Sequence, residues 1–410
     1  MSAAEVVITA AGAIHPLGDS PQALHEAACA GRSGLAAITD FPTAGLPRDT
    51  AFPLQDYSPR EHLGRGNLRA LDRTSRLAAT ACQKALDAGG WEAGEGRKEV
   101  GLVLGTMFGS IRTISEFDRR CLEAGPQYVK PLDFANSVIN AAAGQAAIWH
   151  GLPGINATLT GGPTAGLQAI GYGTDLIRRE RAALALAGGA EELSFEALFG
   201  FARSGHLSDD PAGPRPFDEG RSGFVLGEGA ALVMLEDAER AAERGAPTLA
   251  TVLGQGNAFD PTRGRDEDSA VAAVARSIEL ALQEAELPAA AIDAVSAGAS
   301  GLRLGDEREG LGLARALNGG ARKVPVAAVK SQLGETLGAS GALQTLLALE
   351  ILRTGRVPGV HRLEKVPKSL ETSGLDLSPD AQTTTVDRVL VTAAGLDGNH
   401  FALILGKVSS

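Results

Sequence analysis

Short apolar runs alternate with amphipathic helical stretches along the whole chain. That rhythm confines the fold to strands buried between helices, an α/β layered arrangement. The runs at 6–10, 100–104, 183–187, 230–235, 294–297 and 388–392 read as strands. Those at 71–88, 166–179, 268–284, 307–317 and 340–354 read as helices, with Asn318-Gly319-Gly320 stopping the fourth and Gly355 the fifth. A chain of 410 residues, 44% hydrophobic, can bury a core large enough for such layers. Its 52 glycines and 4% aromatics predict tight turns and close helix–sheet packing. Val7-Ile8-Thr9-Ala10-Ala11-Gly12 is echoed by Leu390-Val391-Thr392-Ala393-Ala394-Gly395, which points to a duplicated fold. The junction falls near 247–251, ahead of a polar crossover loop at 260–268. The expected organisation is two similar halves, 1–250 and 251–410.

Charge and cysteine usage exclude several classes of function. A net charge of −11 argues against a nucleic-acid partner, although a local basic patch can still meet an acidic protein. Cys29, Cys82 and Cys121 are odd in number and far apart, so neither a disulfide framework nor a zinc site is expected. No metal or other cofactor is read from the chain. The first residues carry no basic segment and run straight into a strand, and no apolar run reaches the ~18 residues of a membrane span. The expectation is a cytoplasmic protein without a membrane partner.

The chemistry concentrates at 160–171, where a strand-like run turns sharply into a helix. A junction of this kind exposes one side chain beside helix N-terminal N–H groups that can hold an oxyanion. The segment 214–236, with its P-F-D-x-x-R-x-G-F-V-x-G-E-G string, adds Asp218, Arg221 and Glu228 at fixed spacing. Leu71-Asp72-Arg73, Gly188-Gly189-Ala190-Glu191, Lys330-Ser331 and Gly338-Ala339-Ser340-Gly341-Ala342 agree with it. Together these stretches resemble the ketosynthases of the thiolase superfamily over nearly the whole chain. The resemblance implies a duplicated five-layer α-β-α-β-α thiolase fold and a dimer whose strands meet around 154–159.

Members of that family condense acyl groups with a cysteine and two histidines, the thiolate taking the acyl chain and the imidazoles supporting the enolate. The matching positions here are Pro163, Gly298 and Glu335, so all three groups are replaced. Lys330 and Glu309 match a buried pair of the family and are expected to be retained together. The family's G-F-G-G-T-N gate reads Gly395-Leu396-Asp397-Gly398-Asn399-His400. All seven histidines (His15, His25, His62, His150, His206, His361 and His400) fall outside the two catalytic motifs and are read as surface, cap or packing residues.

Within the resemblance, the best match is the chain length factor, the β subunit of type II polyketide synthases. It implies a non-catalytic subunit, paired as a heterodimer with an active ketosynthase α subunit and served by an acyl carrier protein. Proline instead of the glutamine common in the aromatic branch points to a reducing, polyene-making system. Tunnel-lining candidates are Phe108, Ile111, Phe117, Phe134 and Val138, on segments that border the acyl pocket in the family. Two alternatives stay open. One is an acyltransferase or condensing enzyme using Thr164 or Thr160 as nucleophile with Glu335 as base; the other is a homodimeric thiolase-fold scaffold.

Overall fold

The computed structural model describes residues 4–317 and 323–408, so the Asn318-Gly319-Gly320 stop lies outside the described residues. Ten strands build most of one mixed sheet. In the first half they are β1 (Val6–Ile14), β2 (Val100–Gly105), β3 (Asn156–Leu159), β4 (Leu184–Glu191) and β5 (Gly229–Asp237). In the second they are β6 (Ala250–Phe259), β7 (Ala294–Ser296), β8 (Val324–Ala327), β9 (Arg388–Ala394) and β10 (Asn399–Gly406). The first half runs β3-β2-β4-β5-β1 and the second β8-β7-β9-β10-β6, the same order offset by five. In both, the first three strands are parallel and the next two pairings antiparallel. The halves join where β1 meets β6, at Val7 opposite Thr251 and Ile8 opposite Ala250.

This topology corrects the sequence echo. β1 is equivalent to β6, and β9 to β4, so the matched hexapeptides in β1 and β9 occupy different places in the repeat. Strands covered on both faces converge on small and β-branched residues whatever their position. Likeness of composition there is no guide to register.

The helices that position the site and cover the sheet are α1 (Arg73–Ala88), α2 (Ile111–Ala124), α3 (Ala141–His150), α4 (Ala165–Arg178), α5 (Phe195–Arg203), α6 (Glu267–Glu284), α7 (Arg303–Ala316) and α8 (Ser340–Thr354). α1 and α3 pack outside the first half, and α6 and α7 outside the second. α4 and α8 lie between the halves, which completes the five layers. The central pair can approach closely because a Cβ on Gly166 would stand 2.5 Å from Gly338 O, and one on Gly341 2.6 Å from Leu167 Cβ. α8 is buried along almost its whole length, as a helix enclosed on all sides must be. Asp72 caps α1 by accepting from Ser75 N at 2.7 Å, and Asp266 caps α6 by accepting from Ser269 N at 2.7 Å.

Candidate functional site

At the end of β3 the chain passes Thr160 and Gly161, makes a short 3-10 turn over Gly162–Thr164, and enters α4. Gly162 takes the left-handed φ of +63° that the turn needs. Pro163 is buried on this elbow. Thr164 is fully buried, and its Oγ1 donates to Gly161 O at 2.6 Å. Thr160 is exposed.

The other two family positions lie on the second half. Gly298 follows β7, and its N–H donates to Glu309 Oε1 at 2.8 Å. The same oxygen accepts from Thr392 Oγ1 at 2.6 Å, while burial pushes the Glu309 carboxyl up to about 7. Glu335 is buried, and both of its oxygens are engaged. Oε2 takes Lys330 Nζ at 2.7 Å, and Oε1 takes Ser340 Oγ at 2.6 Å and Leu337 N at 2.9 Å. Lys330 and Glu309 are both buried, and the Lys330 charge favours the Glu309 carboxylate, but the direct ion-pair partner of Lys330 is Glu335. An acid five residues along the same turn reaches the ammonium, and Glu309 is committed to Gly298 and Thr392. Thr164 Oγ1 donates to Gly161 O, and Glu335 accepts from Lys330, so neither is directed at the other.

The signature residues of 214–236 hold the architecture together. Asp218 accepts from the N–H groups of Glu364 at 2.7 Å and Lys365 at 2.9 Å. Arg221 donates to Arg303 O, and Glu228, wholly buried, binds the Arg73 guanidinium and Leu54 N. Asp306 accepts from Phe217, Ser300 and Gly301 N–H groups and so fixes the corner to the loop after Gly298; burial raises its pKa.

The tunnel candidates separate into two groups. Phe108, on the loop after β2, is half-buried, its ring 6.1 Å from Phe201 in a cluster with Leu193, Leu198, Phe224 and Leu337. Phe117 of α2 meets Phe134 at 6.0 Å, while Phe134 itself is 66% exposed and Val138 53%. Ile111 is half-buried at the start of α2.

Three features escaped the sequence reading. Buried Glu191 and Glu192 end β4 and follow it; their carboxyls stand at about 7 and about 8, raised chiefly by burial and, for Glu192, also by Asp72. A cavity of about 410 Å³ lies beside the gate-like loop, lined by His206, Asp260, Arg303, Arg308, Leu396 and His400. His400 is buried there, its Nδ1 without a hydrogen-bond partner among the described residues and its pKa pushed down to about 4 by burial. It lines this cavity instead of merely packing. Another cavity of about 550 Å³ carries Arg69, Arg76 and Lys130. Only the adjacent acids Glu191 and Glu192, following Gly188-Gly189-Ala190, hinted at the buried carboxylates, and nothing local in the sequence marks a cavity.

A duplicated strand order with a buried elbow between two central helices defines the thiolase-type condensing-enzyme fold. The chain belongs to the β-ketoacyl synthase family: residues 3–241 match the β-ketoacyl synthase N-terminal domain and residues 249–364 the C-terminal domain. It is 30% identical to 3-oxoacyl-[acyl-carrier-protein] synthase 2 of Coxiella burnetii, covering all of both chains. Among solved structures it resembles the ishigamide ketosynthase/chain length factor, with a TM-score of 0.91, 29% identity and full coverage of both chains. The ketosynthase in a type II polyketide synthase complex with its acyl-carrier protein shares the fold at a TM-score of 0.87 and 22% identity, each chain fully covered.

Proposed function

We propose that this chain is a non-catalytic ketosynthase-like subunit that pairs with an active ketosynthase in the cytoplasm and shapes the tunnel controlling polyketide length. The observation that carries this reading is the replacement of all three catalytic positions by residues absorbed into structure. Pro163 has no nucleophilic atom, Gly298 has no side chain, and Glu335 is saturated by Lys330, Ser340 and Leu337. The likeness to a ketosynthase/chain length factor supports it. Its own halves, 1–250 and 251–410, supply the two sides of the vacated site.

The partner face is the outer edge of β3 with its neighbouring apolar residues. β3 ends the sheet, and Tyr128, Leu132, Phe134, Val138 and Ile148 are exposed. An acidic carrier protein would find cations at Arg69 and Lys130. The test is co-expression with an active ketosynthase and its carrier protein, followed by mass spectrometry of carrier-bound chains. Chains whose length depends on this subunit are expected. Condensation by this chain alone, with covalent labelling at Thr164, would return the enzyme alternative favoured by its similarity to 3-oxoacyl synthases.

A further inference from the structure

We propose that Glu191 is a positioning residue that sets the place of Phe108 by tying its loop to the turn that follows the vacated position Glu335. The inference rests on the tunnel reading of Phe108. Glu191 is buried at the end of β4, and its carboxylate gathers donors from two separate segments. From the loop after β2 it accepts Met107 N at 2.6 Å, Phe108 N at 3.0 Å and Thr106 Oγ1 at 3.2 Å. From the other segment it accepts Gly338 N at 3.1 Å. Thr106 Oγ1 in turn accepts from Gly109 N at 3.0 Å, closing the loop around Phe108.

The second segment is itself held under constraint. Leu337 has a φ of +47°, a left-handed conformation unfavourable for a residue that carries a Cβ. Its N–H donates to Glu335 Oε1, and its side chain packs in the cluster that Phe108 joins. The two segments also touch directly: a Cβ on Gly338 would collide with Thr106 Cα and stand 2.7 Å from Glu191 Oε2. Neither can shift without the other. A continuous path thus runs from Lys330 through Glu335, Leu337, Gly338 and Glu191 to the backbone of Phe108. The acid that replaced a catalytic group anchors one end, and the tunnel residue stands at the other.

Glutamine at 191 keeps the side-chain volume but has only one accepting oxygen. Oε1 serves Phe108 N, whereas Oε2 serves Met107 N, Gly338 N and Thr106 Oγ1, so the amide must leave at least one donor unmet. The experiment uses the complete heterodimer with its carrier protein and compares Phe108→Ala with Glu191→Gln. Two readouts are taken: the length distribution of carrier-bound chains, and amide exchange at Met107, Phe108 and Gly338. Glu191→Gln is expected to speed exchange at one or more of these amides by about tenfold, as for one lost buried hydrogen bond. It is also expected to move the length distribution in the direction taken by Phe108→Ala. A shift with Phe108→Ala but none with Glu191→Gln in an assembled complex overturns this inference alone. Unchanged lengths with Phe108→Ala overturn the tunnel reading, and this inference with it. Should Glu191→Gln fail to fold, Thr106→Val removes one donor and must still shift the distribution; unchanged lengths there overturn the proposal.

Discussion

At the residue scale, each replaced position has acquired a structural commitment, and this makes reversal difficult. Pro163→Cys alone is expected to release no carbon dioxide from malonyl carrier protein and to form no condensation product. The thiolate would lack both imidazoles, and a Cβ on Gly298 would meet Thr392 O at 3.0 Å and Glu309 Oε1 at 3.2 Å. Radiolabelled carbon dioxide from the single variant would refute this. Glu335→Gln is expected to destabilise the fold by about 3–5 kcal/mol, because it leaves the Lys330 ammonium buried without its acid. A double substitution to a well-packed apolar pair, Lys330→Met with Glu335→Leu, should recover much of that loss in urea melts. The three substituted positions were legible from the sequence, since a motif fixes which residue stands where. The partner of Lys330 was not. Two acids, Glu309 and Glu335, stand within reach of it in sequence terms, and only the path of the turn after Lys330 decides between them.

At the element scale, the end of β4 carries an unusual density of buried acid. Glu192 Oε1 accepts from Arg112 N at the start of α2, while Oε2 has no hydrogen-bond partner among the described residues. Burial, followed by the charge of Asp72, raises this carboxyl to about 8. A carboxyl raised in the fold binds more protons folded than unfolded. Its stabilising contribution is complete below the unfolded value of 4.5 and is lost as pH rises toward 8. Thermal melts between pH 6 and 9 should therefore show stability falling with pH, by at most about 1.4 kcal/mol per unit for each such group. Glu192→Gln should flatten that slope below pH 8, and an unaltered slope would exclude Glu192 as its source. Glu191 and Glu309, at about 7, contribute the lower part of the window. The pattern of short apolar runs marked β1, β2, β4, β5, β7 and β9. It missed β6, β8 and β10, where Gln255, Asn257, Pro325 and Asn399 interrupt the apolar pattern.

At the scale of the whole molecule, the edge strand β3 is the face that the proposed partner would cover. Among the described residues the outer edge of β3 has no strand partner and lies beside exposed apolar side chains, so under the proposed function the chain alone is expected to aggregate or to form a poor homodimer. Size-exclusion chromatography with an active ketosynthase should show a heterodimer, and Ile148→Arg on the same face, where Ile148 is 79% exposed, should abolish it while leaving the melting temperature of the free chain nearly unchanged. A well-behaved monomer that ignores every active ketosynthase would remove the basis of the proposed function.

The sequence by itself determined the layered α/β class, the family and the absence of a cysteine at the elbow, because each depends on residue type at fixed spacing. Its one apparent internal repeat pointed correctly to a duplication but lay on strands that are not equivalent, since buried strands share composition regardless of register. Only the tertiary structure paired β1 with β6 and set Lys330 against Glu335. It alone brought Met107, Phe108 and Gly338 to one carboxylate. These arrangements join residues far apart in the chain, and what selects among them is burial: a charge or N–H removed from water must find whichever partner the packed chain places within about 3 Å.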